Sequence, residues 1–187
     1  MHPYRMQQLI KEREKDEVIN VRHRTSIYQT IERLYRDKAI AIQGKKKTEG
    51  RPDLTVYEIT DLGRQAAYSW IREMISTPAQ EFLEFPAAVS FLALLTPEDV
   101  ARLFNERAQA LEHSLARLKD QFQKSTSLGL PRLFLLENEY QQAVLEAEIG
   151  WVQAVITDIE SGKLAWNLEE LREHARSVGN RQDENET

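Results

Sequence analysis

Histidines are the first residues to test for metal or acid–base chemistry, and their spacing argues against both. His2, His23, His113 and His174 form neither an i, i+4 pair nor a His-Glu-x-x-His pattern. No helix face can therefore present two imidazoles to one metal ion. The absence of cysteine removes thiolate ligands, a cysteine nucleophile and any disulfide framework. The chain also lacks a Gly-rich phosphate loop and a Gly-x-Ser-x-Gly elbow. Its acidic pairs Glu98–Asp99 and Glu169–Glu170 fall in the first turns of expected helices, where carboxylates complement the helix dipole. No metal, cofactor or catalytic residue is expected, and the chain does not read as an enzyme.

Basic and hydroxyl side chains are the chemistry that remains. The 187 residues carry 25 Lys+Arg against 30 Asp+Glu, a net charge of −5. The charge is unevenly spread: residues 1–64 hold 14 basic and 10 acidic side chains, net +4, and residues 65–187 hold 11 and 20, net −9. Within 22–51 the count is nine basic against three acidic, net +6. A basic segment on an acidic chain points to a polyanion-binding face.

The elements that must position these groups follow from periodicity. From Pro3 to about Arg13, the residues Tyr4, Met6, Leu9 and Ile10 share one helical face, with proline in the first turn. Glu14 to Arg22 reads as a connector. A second helix begins near Thr25 or Ser26, with Ile27, Ile31, Leu34 and Tyr35 as its apolar stripe. Its other face carries Ser26, Gln29, Thr30, Arg33 and Asp37. Ile40 and Ile42, then Val56, Tyr57 and Ile59, predict two short strands. The segment QGKKKTEGRPDL between them predicts a long basic loop bearing Lys45, Lys46, Lys47 and Arg51. Thr60 then caps a helix to about Ile75, with Ala66, Ala67, Trp70, Ile71 and Met74 on its inner side.

After Thr77–Pro78 the composition turns acidic and helical. Helices are expected at 79–95, 98–124, 131–161 and 167–177, punctuated by Pro97, Gly129–Pro131 and Gly162. Phe104, Ala108, Leu111, Leu115, Leu118 and Phe122 alternate spacings of four and three, a coiled-coil-like seam. Tyr140, Val144 and Trp151 belong to a similar stripe on the next long helix. Helices of this length leave apolar faces that a small monomer cannot cover, so a homodimer is expected. Its contacts are assigned to Phe104, Leu111, Leu115, Leu118, Phe122, Tyr140, Val144 and Trp151. The longest uncharged apolar run, Phe85 to Pro97, is too short to span a bilayer, and no signal peptide precedes it. A soluble, cytoplasmic protein without membrane contact is the expectation.

The order helix, connector, helix, basic hairpin suggests a winged helix-turn-helix acting on double-stranded DNA. Its second helix would enter the major groove with Ser26, Gln29, Thr30 and Arg33 toward base edges. Arg22, Arg24, Thr25 and Tyr28 would meet phosphates near the helix N-terminus, and the hairpin lysines with Arg51 would reach a minor groove or the flanking backbone. The fold class is thus mainly α: an N-terminal winged helix with a two-stranded β-hairpin wing, then long C-terminal antiparallel helices. Residues 1–76 form the DNA-binding domain, 77–178 the helical dimerisation domain, and 179–187 a disordered polar tail.

The strings TSIYQTIERLYRDKAI and GRPDLTVYEITDLGR resemble the winged-helix domain of PadR-family transcriptional regulators. The family's Ser-x-Tyr-x-x-Leu-x-x-Leu pattern falls on Ser26, Tyr28, Ile31 and Leu34. Its wing pattern falls on Gly50–Arg51–Pro52, Tyr57, Ile59, Thr60, Gly63 and Arg64. The opening HPYRMQQLI is similar to the family's His-Gly-Tyr-Glu-Leu motif, and the likeness covers about residues 2–64. Asp53 departs from the basic residue usual after Gly-Arg-Pro. Relatives also place an apolar first helix ahead of the His-Gly-Tyr motif. Its absence here would leave Leu9, Ile10, Ile31 and Leu34 partly uncovered, so a segment upstream of Met1 is expected.

The resemblance implies a homodimeric regulator, usually a repressor, on a two-fold symmetric operator. It also implies relief by a small aromatic effector, for which Trp70 and Trp151 are the named contacts. The alternative is a dimeric helical scaffold with a degenerate winged helix and no DNA binding.

Overall fold

The computed structural model describes residues 1–13, 15, 24–48 and 51–167. At 24–26, 45–48 and 51–53 it is the backbone that is described. The chain divides into two compact units, Met1–Glu81 and Phe82–Thr187. Its elements are mainly helical, with one antiparallel hairpin. No helix among the described residues is long and apolar enough to cross a membrane.

The first unit opens with α1 (Pro3–Glu12), whose N-cap His2 accepts a hydrogen bond at Nδ1 from the Tyr4 amide at 3.2 Å. Pro3 at the first helical position sacrifices no intrahelical bond. Helix α2 (Arg24–Arg36) follows, then strands β1 (Ile40–Thr48) and β2 (Arg51–Ile59), then α3 (Asp61–Ser76). The Tyr57 amide donates to the Met1 carbonyl at 2.9 Å, and the Met1 amino group donates back to the Tyr57 carbonyl. The start of the chain thus pairs with the edge of β2 that β1 leaves open. Among the described residues of this unit Pro3, Ile31 and Ala39 are buried, and Leu9, Ile10 and Leu34 are half-buried.

Two sequence expectations are corrected here. The hairpin has nine-residue strands instead of short ones, so Lys45, Lys46 and Lys47 lie in β1 and Arg51 begins β2. Ladder pairing of Lys45 with Thr55 and Lys46 with Leu54 satisfies backbone groups that a loop would leave to water. The register slips twice. Gln43 is an extra residue in β1 between Ile42↔Tyr57 and Gly44↔Val56, and β2 recovers it between Leu54 and Arg51. Pro52, which has no amide hydrogen, falls in that second irregularity, where a ladder tolerates proline. The second correction concerns α3. Ala66 and Ala67 are half-buried, but Trp70, Ile71 and Met74 are exposed, because the helix is anchored at its first turn and then runs into solvent.

The second unit is a helical hairpin with a short lid. The expected helix over 79–95 is instead α4 (Glu84–Val89) and a 3-10 turn at Leu92–Leu94, separated by a turn at Ser90 and Phe91. Ser90 donates its hydroxyl to the Pro86 carbonyl at 3.1 Å, consistent with the end of that helix. Helix α5 (Pro97–Ser127) is capped by Thr96, which accepts from the Asp99 amide at 3.2 Å. Gly129, at φ 74°, lets the chain turn after α5. A 3-10 turn at Arg132–Phe134 leads into α6 (Leu136–Glu160). Val100, Phe104 and Ala108 of α5 pack on Val152 and Ile156 of α6 as the core, with Phe85, Val89 and Leu92 against it. The expected helix at 167–177 and the tail lie outside the described residues, apart from Asn167, which is not helical.

The stripe expected along α5 is partly used within the chain itself. Phe104 and Leu118 are buried, and Leu111, Leu115 and Phe122 half-buried, on the face that α6 of the same chain covers. A short turn after α5 brings α6 back antiparallel against it. Arg107 with Glu148, Lys119 with Glu146 and Glu112 with Gln153 bind the two helices along their length.

Candidate nucleic-acid interface

Helix α2 turns its apolar stripe inward and leaves a polar face open. At roughly 100° per residue, Gln29 and Arg36 lie opposite Ile31 and Leu34, flanked by Glu32 and Arg33. Tyr28, Gln29, Thr30, Glu32, Arg33 and Arg36 are all exposed. An open surface depression on this face is lined by Gln29, Glu32, Arg33 and Arg36. Glu32 and Arg36 were not among the residues singled out from the sequence. Their spacing from Gln29, by three and seven residues, is the helical signal that places them on its face.

The charged groups there are partly engaged. Arg33 donates through Nη2 to the Thr30 hydroxyl at 3.3 Å, which draws its guanidinium back along the helix. Arg36 donates to both carboxylate oxygens of Asp37, at 2.9 and 3.3 Å. That fork, chiefly through its hydrogen bonds, holds the Asp37 carboxyl below the usual carboxylate range and raises the Arg36 guanidinium above its own. Both partners lie in water, where such pairs contribute little and open readily.

The hairpin is fixed to α2 by one compact junction. Lys38 takes a left-handed conformation at φ 57°, turning the chain from α2 into β1. The Thr60 hydroxyl donates to the Lys38 carbonyl at 2.7 Å and lies 3.1 Å from the Ala39 carbonyl oxygen. The Thr60 amide donates to the Ala39 carbonyl at 3.0 Å. The Gly63 amide in turn donates to the Thr60 hydroxyl at 3.0 Å, which caps α3. A Cβ on Gly63 would stand 1.9 Å from the Ala39 carbonyl oxygen. Threonine three residues before glycine is thus a device that joins the end of α2, the base of the hairpin and the start of α3.

The expected DNA contacts are therefore spread over two elements of one unit. Gln29 and Arg33 lie on the open face of α2 with Tyr28 and Thr30 exposed at its two edges, and the backbones of Arg24, Thr25 and Ser26 form its first turn. The backbones of Lys45, Lys46, Lys47 and Arg51 lie in the half of the hairpin remote from the Thr60 junction. Arg22 lies outside the described residues. No group of three or more metal-ligating side chains occurs among the described residues.

The two expected effector residues lie in different units. Trp70 is exposed on α3. Trp151 on α6 is 44% exposed, with its ring centroid 6.0 Å from Phe85 and 5.8 Å from Phe104. The Arg107 guanidinium stacks 3.5 Å over the Phe85 ring while its Nε donates to Glu148 at 2.7 Å. An indole half open to solvent beside two further rings offers a stacking surface for a planar aromatic molecule.

No protein-family model matches the sequence, and no curated protein does. Solved structures do match. This chain is similar to Bacillus subtilis PadR in complex with operator DNA, with a TM-score of 0.70 at 16% identity, over 85% of this chain and 89% of that one. PadR in complex with p-coumaric acid gives 0.68 at 17% identity, over 86% and 90%. The Vibrio cholerae virulence activator AphA gives 0.54 at 18% identity, over 74% and 78%. At such identities the likeness establishes the fold, and the fold is that of PadR.

Proposed function

We propose that this chain is a PadR-type DNA-binding transcriptional regulator that acts as a homodimer and represses by occluding a two-fold symmetric operator. The observation that carries the reading is the open polar face of α2 beside a basic hairpin, in a chain with the fold of a protein solved on its operator. Helix α2 enters the major groove, where the Gln29 amide suits adenine and the Arg33 fork suits guanine, with Thr30 beside them. Ser26 faces the bases with them, and Arg22, Arg24, Thr25 and Tyr28 hold the adjoining phosphates. Lys45, Lys46, Lys47 and Arg51 bring the hairpin to the backbone or a neighbouring minor groove.

The dimer is supported by α6, which is apolar on both sides. Ile149, Val152 and Ile156 are buried toward α5, yet Tyr140, Ala143, Val144, Ala147, Gly150, Trp151 and Ala154 form a second, exposed face. Small residues at Ala143, Ala147, Gly150 and Ala154 allow close approach of a second helix, with Tyr140, Val144 and Trp151 filling the flanks. Two-fold pairing sets the recognition helices about 34 Å apart, one turn of DNA. A small aromatic effector, of the kind represented by the p-coumaric acid bound to PadR, stacks on Trp151 and releases the operator.

Fluorescence anisotropy tests the reading, with labelled duplex from the protein's own upstream region against a scrambled duplex at about 50 and 200 mM salt. Affinity should prefer the upstream duplex and fall by orders of magnitude across that range. A protein that binds neither duplex is the helical scaffold instead. Titration of the complex with p-coumaric acid should quench tryptophan fluorescence and lower the anisotropy together.

A further inference from the structure

A carboxylate on a surface that faces phosphates has to find a hydrogen-bond donor or be repelled. Glu32 is such a group: it is exposed, and it lines the same depression as Gln29, Arg33 and Arg36. Its own helix does not neutralise it. The cations one and four residues on are turned elsewhere, Arg33 to the Thr30 hydroxyl and Arg36 to Asp37.

Resting on the reading of α2 as the recognition helix, we infer that Glu32 is a specificity-determining residue. It accepts a hydrogen bond from the N4 amino group of a cytosine in each operator half-site. Phosphate oxygens only accept, so they offer the carboxylate nothing. Guanine presents two acceptors to the major groove, which the Arg33 fork satisfies and a carboxylate does not. Adenine couples its amino donor to the N7 acceptor, a pattern suited to the Gln29 amide one turn earlier. Cytosine presents its amino donor with no adjoining N7, and an acceptor-only side chain matches it. The same negative charge disfavours guanine and thymine at that position, so discrimination arises from repulsion as well as attraction.

The test uses the full chain as wild type, Glu32→Ala and Glu32→Gln. Each is put through selection from a randomised duplex pool, and the best duplex is then measured with single-base changes. The wild type should enrich cytosine at one position in each half-site. Glu32→Ala should lose about tenfold of that preference, keep the other positions and bind scrambled duplex more tightly. Glu32→Gln should shift the same position toward adenine. If Glu32→Ala binds every duplex more tightly with unchanged base preferences, Glu32 is only a repulsive surface charge and the inference is overturned. Wild-type enrichment of a base other than cytosine at the position that responds to Glu32 overturns it too. Absence of salt-dependent binding by the wild type is a different failure, because it removes the DNA-binding reading itself and the inference with it.

Discussion

Gly63 and Arg33 mark two kinds of dependence on a single side chain. Gly63 is required by space: its α-carbon lies so close to the Ala39 carbonyl that any Cβ must displace backbone. Gly63→Ala should therefore destabilise the first unit by about 1–3 kcal/mol, the usual cost of forcing atoms into a packed site. Thermal denaturation followed by circular dichroism would register this as a fall of about 4–8 °C per kcal/mol for a unit of this size. An unchanged transition would mean that the junction yields easily. On the proposed reading, Arg33 acts through chemistry instead. Arg33→Ala should leave the melting temperature unaltered and weaken operator binding by about 1–3 kcal/mol while binding to scrambled duplex changes less. Equal losses on both duplexes would move Arg33 from base reading to phosphate contact. The Thr-x-x-Gly pair is visible in the residue order, but the carbonyl that demands the glycine comes from 24 positions earlier. No local pattern connects Ala39 to Gly63.

The hairpin and the two long helices differ in how their sequence maps onto structure. The alternation at Ile40, Ile42, Val56, Tyr57 and Ile59 identifies the strands but understates their length. Three consecutive lysines, two glycines and a proline carry the composition of a loop, which masks the ladder that pairing supplies. The backbones of Lys45, Lys46 and Lys47 are strand positions of β1. Replacing Lys45, Lys46 and Lys47 together by alanine should weaken binding to all duplexes alike. The slope of log affinity against log salt should become shallower by about 0.9 for each phosphate that the hairpin no longer neutralises. An unchanged slope would detach the hairpin from the backbone. Helix boundaries are more legible where chemistry marks them. Thr96–Pro97 caps α5 and Thr60 caps α3, each by a side-chain oxygen accepting an amide hydrogen. The segment before α5 lacks such markers, and its long predicted helix is in fact two short pieces.

At the scale of the whole chain, the exposed side of α6 is the feature with the largest consequence. A single layer of two helices can bury one face of each, and here the second face of α6 stays apolar. Ala147→Arg places a charged side chain in the middle of that face without touching the α5 contact. On the proposed dimer, the wild type should elute as a dimer by size-exclusion chromatography with light scattering and the variant as a folded monomer. Operator affinity should fall with it, since one recognition helix then has to bind a half-site alone. A dimeric Ala147→Arg protein would shift the contact to another surface. Trp151 borders the same face, so Trp151→Ala should remove the response of the complex to p-coumaric acid and weaken the dimer less than Ala147→Arg does.

Residue order alone was enough for much of what depends on neighbours along the chain. The 3.6-residue and two-residue periodicities, the threonine caps, the proline and glycine boundaries and the basic segment within an acidic chain are all legible in it. So is the winged-helix order of elements, because short connections leave few ways to arrange helix, helix and hairpin. Tertiary structure decided what depends on partners distant in sequence. It turned the seam of Phe104 and Leu118 inward against α6, since an antiparallel hairpin satisfies its own stripe first. It left Trp70, Ile71 and Met74 exposed beyond the junction that holds α3. An apolar periodicity states that a face must be covered, and the competition among available surfaces in three dimensions determines which one covers it.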